Sequence, residues 1–334
     1  MSTSPFFTIA IPTYNRGAIL SKAITSALGQ TDGDFELLIS DNGSTDNTHS
    51  IVQSFADPRV VSVRHLTNGG MFFNFHYCML EARGRYLVFL SDDDFLAPNF
   101  LENSRRAVDS HPGIGLIYSG RQCLDVSNGT ICLAAEGAEV FYPDLASWLK
   151  RVREATIVNI SGVVLNCNYL KPYLPFDDWG AGWGIDDYLF MMMVAHGGAF
   201  GFKSISVSMS IGVRDNNVMN TEPSLVLSSS REVSKKMFSL VDTHVPLNQQ
   251  GAAKQAIRKR YNDSVFVPRF LVKHIVRKDG SFFSLLMDFR EQRIAFWQLF
   301  KSTKTLAGAV FLMLPKAVRF WVVNRFTNYS APKV

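Results

Sequence analysis

Three consecutive carboxylates, Asp92, Asp93 and Asp94, follow the strand-like run RYLVFL at 85–90. Adjacent carboxylates repel one another and resist burial, so at the end of a core strand they call for a cation. Hard divalent ions take oxygen ligands, commonly one or two protein carboxylates with substrate phosphates completing the shell. The other reading of the triplet is a solvated turn that caps the helix starting near Pro98. Two more polar groups follow apolar runs upstream, Pro12–Arg16 and Asp41–Ser44.

The elements that must position these groups are legible as alternating patterns. Phe6–Ile11, Phe35–Ile39, Val60–Arg64 and Tyr86–Leu90 read as strands; Ala18–Leu28, Thr48–Phe55 and Met71–Ala82 read as helices between them. Strand and helix alternating at this pitch predict βαβ units and an α/β fold with a Rossmann-like, doubly wound, mostly parallel sheet. Ligands of such sheets bind outside the carboxyl ends of the strands. All three polar groups fall on that rim, which favours a cation site over a surface turn. From about 119 to 213 the pattern is less regular, with a buried helix expected over Tyr188–Ala195 and a strand over Phe202–Val213.

Composition bounds the rest. Of 334 residues, 47% are apolar and 19% charged, as in a folded globular protein. The four cysteines lack a C-x-x-C pair and a companion histidine cluster, which argues against a zinc site or disulfide framework. No secretion signal is read at the N-terminus. Net charge is uneven: residues 1–224 carry 15 Lys/Arg against 23 Asp/Glu, and 225–334 carry 19 against 6. This break suggests a catalytic domain over 1–224, with a nucleotide half to about 120 and an acceptor half to 224, and a basic helical region over 225–334.

Four stretches together resemble the family 2 glycosyltransferases of GT-A fold: IAIPTYNR (9–16), LISDNGSTDNT (38–48), NGG (68–70) and ARGRYLVFLSDDDFLAP (82–98). The likeness covers roughly 6–215 and is nearest to bacterial enzymes that build O-antigen and capsule repeats, such as abequosyltransferases. It implies a nucleotide-sugar donor (UDP-, CDP-, dTDP- or GDP-linked), Mn2+ or Mg2+, and no nucleic-acid partner. The DXD-type motif maps onto the triplet, with Asp93 or Asp94 toward the metal and Asp92 near the ribose. Asp41 falls where the family sets an acid against the base, and a carboxylate there accepts the N3–H of uracil or thymine. It also suits an Asx-turn, while Asp46 suits the cap of the following helix.

Thr13 and Tyr14 match nucleoside-side positions and Pro12 shapes the loop that donor binding uses; Arg16 faces a phosphate or water; Asn68 and Asn74 fix loops beside the donor. Arg214 matches a basic segment that reaches the pyrophosphate. The family's acidic pair maps onto Asp186 and Asp187, with Asp187 as the base that takes the acceptor hydroxyl proton and Asp186 supporting it. Asp177 and Asp178 are a rival pair. Trp179 and Trp183 are candidates for sugar stacking, and His196 for a metal or phosphate contact or a structural role.

The segment 306–314 is too short to span a bilayer, for which ~20 apolar residues are needed. Lys316, Arg319 and Arg325 interleave with aromatic and apolar residues, as in a helix lying in a membrane interface; a homodimer contact would use the same surface. The resulting expectation is a non-processive, inverting glycosyltransferase on the cytoplasmic face of the cell membrane, acting on a polyprenyl-linked glycan in surface polysaccharide synthesis. A sugar-1-phosphate nucleotidyltransferase would need a Gly-rich phosphate loop after the first strand, which Pro12–Arg16 is not. A non-catalytic binding module would have no use for both acidic clusters.

Overall fold

Apolar and small residues dominate FTIAIPT and FELLISD, and both form strands with every residue buried: β1 (Phe7–Thr13) and β2 (Phe35–Asp41). Burial on both faces marks interior strands of a sheet with helices on each side. The computed structural model describes residues 4–125, 131–134, 138–152, 160–176, 184–211 and 223–258. Around β1 and β2 come α1 (Leu20–Leu28), α2 (Thr48–Gln53), β3 (Val60–Arg64), α3 (Met71–Glu81), β4 (Tyr86–Phe89), β5 (Phe95–Leu96) and α4 (Phe100–Ser110). The chain continues through β6 (Leu116–Asp125), β7 (Ile131–Ala134), β8 (Val140–Tyr142), α5 (Leu145–Val152), β9 (Val163–Asn166), α6 (Cys167–Leu170) and a 3-10 turn (Lys171–Tyr173). It ends in α7 (Ile185–Gly197), β10 (Ala199–Ile211), α8 (Pro223–His244) and α9 (Leu247–Ile257).

Among the described residues one sheet runs in the order β3-β2-β1-β4-β9-β6-β10-β5, with β7 beside β6 and β8 beside β10. The first four strands are parallel. β9 is reversed between β4 and β6, and β10 runs parallel to β6. The α/β expectation therefore holds, with the parallel part concentrated in the first ninety residues, β9 reversed inside the sheet beyond it, and β5, β7 and β8 antiparallel to their neighbours.

Period-two alternation divides the core between the two faces. Phe7, Ile9, Ile11, Phe35, Leu37, Ile39, Tyr86 and Val88 pack with the α1 stripe Leu20, Ala23, Ile24 and Ala27. Ala10, Leu38, Leu87 and Phe89 face the other way, onto Cys78 and Met79 of α3 and the apolar residues of α7. Val233, Met237, Leu240 and Val241 of α8 and Ala253 and Ile257 of α9 belong to this second cluster. The divisions drawn from charge and pattern thus fall inside elements: 120 lies within β6 and 224 within α8. No helix of the described residues is long and apolar enough to cross a membrane.

Candidate active site

β1 and β2 each extend two residues past the apolar runs, which places Thr13 and Asp41 in the sheet ladder. They are register partners, and Asp41 in turn pairs with Arg64 at the end of β3. One oxygen of Asp41 closes a turn by accepting from the Ser44 amide at 2.9 Å. The other, Oδ2, is buried without a hydrogen-bond partner, with Arg64 Nε 3.8 Å away. Thr13 Oγ1 is likewise buried without a partner of good geometry. A buried polar group left unpaired costs roughly 1–3 kcal/mol, and native proteins retain few of them. Two on neighbouring strand ends form a place where one polar ligand can satisfy both.

The loop after β1 is stapled to the loop after β2. Asn15, at a left-handed φ of 54°, accepts the Thr45 amide at 2.8 Å, and its own amide donates to Ser44 Oγ at 2.9 Å. The Arg16 amide donates to Thr48 Oγ1 and the Gly17 amide to Asp46 Oδ2. Asp46 also accepts the Thr48 amide, so it caps the entry to α2. A side chain at Gly17 would collide with Asn47, its Cβ falling 1.9 Å from Oδ1. The outcome is a fixed Arg16, whose Nε lies 3.6 Å from Asp92 Oδ1.

Asn68 is occupied with the loop itself, accepting from Asn42 Nδ2 and the Gly70 amide. Asn74 reaches from α3 to the carbonyls of Thr13 and Ser40 and accepts from Ser40 Oγ, tying the ends of β1 and β2 together. Asn42 and Ser40 are parts of this frame that strand and motif patterns do not single out.

The triplet closes a turn in which the Asp94 amide donates to the Ser91 carbonyl at 3.1 Å. Ser161, just before β9, accepts the Ser91 amide and so fixes the turn against the neighbouring strand. Asp94 is 3% exposed, and Asp92 and Asp93 are half-buried. Burial pushes the Asp92 carboxyl up to about 6 and the Asp93 charge adds to this, against the Thr13 hydroxyl, Arg16 and the Tyr14 amide. Burial likewise raises Asp93, with Arg16 opposing it.

These carboxylates are short of positive charge, and their oxygens suit Mn2+ or Mg2+. Among the described residues no three His, Cys, Asp or Glu side chains form a closed metal cage. A divalent ion beside them would need ligand phosphates to complete its shell.

A stability consequence can be measured in metal-free buffer. Asp92 titrates higher in the folded chain than in an unfolded one, so its ionisation opposes folding. That opposition is complete above about 6 and absent below the ordinary aspartate range. Asp92→Asn is expected to melt above the wild type near pH 8, by an effect of ~3 kcal/mol, and to match it near pH 4. Thermal melts at both pH values check this, and a variant no more stable than wild type near pH 8 contradicts it.

Topology brings the second acidic cluster to the same rim. β10 runs parallel to β6 and hence to β1, and α7 leads directly into its start, so α7 ends at the amino rim and begins at the carboxyl rim. Asp186 and Asp187 occupy its first turn, after Gly184 in a left-handed conformation with φ of 80°. His196 lies at the other end of α7, about 14 Å from Asp187 at 1.5 Å per residue. There it meets Tyr173 Oη at 2.6 Å and packs on His244. The structure does not bring it to the triplet, and its contacts there are those of a packing residue. Arg214, Asp177, Asp178, Trp179, Trp183 and the segment 306–326 lie outside the described residues.

Residues 8–130 match the model of glycosyl transferase family 2. An uncharacterised glycosyltransferase of Rickettsia felis is 28% identical over 181 residues, covering 53% of this chain and 28% of that one. Another, from Haemophilus influenzae, is 31% identical over 121 residues, covering 36% and 40%. The chain thus spans less than half the length of these curated relatives. S. aureus TarS in complex with UDP-GlcNAc superposes with a TM-score of 0.63 at 13% identity, over 92% of this chain and 90% of that one. A mannosyltransferase of Pyrobaculum calidifontis in complex with GDP-Man and Mn2+ superposes at 0.53 with 16% identity, over 93% and 88%. At such identities the structures speak to fold alone, which is that of the GT-A transferases, and the likeness to glycosyl transferase family 2 is that of residues 8–130.

Proposed function

We propose that the protein is a metal-dependent, inverting glycosyltransferase that moves one sugar from a nucleotide-sugar donor to a glycan acceptor. The observation that carries this reading is the pair of buried and poorly satisfied atoms, Thr13 Oγ1 beside Asp92 and Asp41 Oδ2 beside Arg64, on the same rim as the buried carboxylates Asp92 and Asp93. The family match and the nucleotide sugars named in the complexes of the structural neighbours support it.

In this reading Thr13, Tyr14 and Asp41 take the nucleoside, with Pro12 shaping the loop, and Asp92 the ribose. Arg16 and Arg214 serve the pyrophosphate, and Asn68 holds the neighbouring loop. Asp93 and Asp94 would hold Mn2+ or Mg2+, which when bound supplies Lewis-acid charge toward the departing diphosphate. Asp187 takes the acceptor hydroxyl proton as that oxygen bonds to the anomeric carbon. The bond from that carbon to the phosphate oxygen breaks, and its electron pair leaves with the nucleoside diphosphate. A single displacement of this kind inverts the anomeric configuration.

The acceptor assigned here is a polyprenyl-linked glycan of surface polysaccharide synthesis, with the basic segment after 306 resting on anionic lipid. Deleting that segment is expected to abolish sedimentation with anionic vesicles; undiminished binding refutes the membrane assignment. The reading as a whole is tested by thermal shift with UDP, GDP, CDP and dTDP, each with Mn2+ or with EDTA. It expects one or two diphosphates to raise the melting temperature, and only with the ion. No response to any of them overturns it.

A further inference from the structure

Helix α3 makes two kinds of contact. Asn74 ties it to the strand ends of the donor rim, as described above. His76, two residues on and so on the far side of the helix, reaches the acceptor half: its Nε2 accepts the Phe176 amide at 3.1 Å. The His76 ring stacks on Phe72 at 5.6 Å and lies 6.3 Å from the Phe176 ring. Phe176 is buried and meets Tyr188 edge-on at 6.4 Å. Tyr188 directly follows Asp187.

We propose that His76 is a positioning residue for the acidic pair: by accepting the Phe176 amide it fixes, through the Phe176–Tyr188 contact, the first turn of α7 that carries Asp186 and Asp187. The proposal rests on the glycosyltransferase reading for its activity readout only. Phe176 could not be held this way by a protonated imidazole, because both ring nitrogens are then donors. The anchor therefore requires neutral His76 with its proton on Nδ1. The groups that meet its ring are Phe72 on α3 and Phe176 in the segment before α7, and neither is charged. Burial lowers the imidazole below the ordinary histidine range, which keeps it neutral at physiological pH.

The test compares His76→Leu, which removes the acceptor, with His76→Gln, whose amide oxygen accepts at every pH. Turnover at saturating donor and acceptor is followed from about pH 5 to 8. His76→Leu is expected to lose roughly ten-fold in kcat near pH 8, a gap that narrows toward pH 5 as the wild type loses the same anchor, since small misplacement of a catalytic group suffices for such losses. Its nucleoside diphosphate affinity should stay unchanged. His76→Gln should keep most of the neutral-pH turnover and hold it toward pH 5, where the wild type falls faster. Titration of every other group is common to both proteins and cancels in the comparison.

A His76→Gln enzyme as impaired as His76→Leu at neutral pH, or one whose acid limb coincides with the wild type's, overturns the proposal. If His76→Leu does not fold, the His76→Gln profile decides alone. If the wild type turns over no nucleotide sugar, the functional reading fails separately. Hydrogen exchange at the Phe176 amide then decides the anchor, with faster exchange expected in His76→Leu than in wild type or His76→Gln, and equal exchange in all three refuting it.

Discussion

Asp187→Asn is expected to bind nucleoside diphosphate with Mn2+ as the wild type does and to turn over about 10²–10⁴-fold more slowly. The amide is nearly isosteric with the carboxylate, so the first turn of α7 and its packing through Tyr188 should persist. What is lost is the basic oxygen that takes the acceptor proton. Because α7 starts at the carboxyl rim while the nucleoside groups belong to β1 and β2, the substitution should separate chemistry from donor binding. Asp186→Asn, at the adjacent position, should be the milder of the two. Steady-state kinetics with saturating donor check this, and near-normal turnover by Asp187→Asn would remove it from the role of base. The two acids also stand at a helix N-terminus, where negative charge is favourable by roughly 0.3–1 kcal/mol. A purely structural role therefore predicts a small fall in melting temperature and unchanged kinetics.

The second large effect is expected at Asp93. Asp92 is directed toward Arg16, Thr13 and Tyr14, and Asp94 is almost fully buried. Asp93 is half-buried, with burial raising its pKa and Arg16 opposing, and is the one proposed to reach an ion beside a bound diphosphate. Asp93→Ala should abolish the metal-dependent part of donor binding, so that affinities with Mn2+ and with EDTA converge. Removing a carboxylate from a crowded acidic turn relieves repulsion, so the variant should fold at least as stably as the wild type. Calorimetric titration of the nucleoside diphosphate in both buffers measures the ratio. A retained metal dependence would move the ligand role to Asp94.

The parallel strands were legible because residues buried on both faces must read as continuous apolar runs, and α1 because its stripe repeats at helical spacing. The two polar residues that matter most at the rim, Thr13 and Asp41, were legible as motif positions. Their place inside the ladder was not, since polar residues at a strand end look the same as loop residues in sequence. Partners were also hidden: nothing in the pattern says that Asn74 spans two strand ends, that Asp46 caps toward Gly17, or that His76 meets the Phe176 amide. The charge break near 224 marks a basic helical region, and it does not reveal that Val233, Met237, Leu240 and Val241 within it belong to the buried core cluster. Charge describes the exposed side of α8, where Lys235 pairs with Glu232, and says little about the face that packs. His196 was singled out by residue type alone, and only the direction of α7 places it at the far rim.

The most direct measurement is a crystal structure with the nucleoside diphosphate chosen by thermal shift and Mn2+. The account predicts the base against Thr13 Oγ1 and Asp41 Oδ2 and the diphosphate beside Arg16, with the ion on Asp93 or Asp94. A nucleotide bound elsewhere would contradict it, for instance in the amino-rim cavity of about 600 Å³ lined by Glu36, Arg59, Arg83 and Lys171.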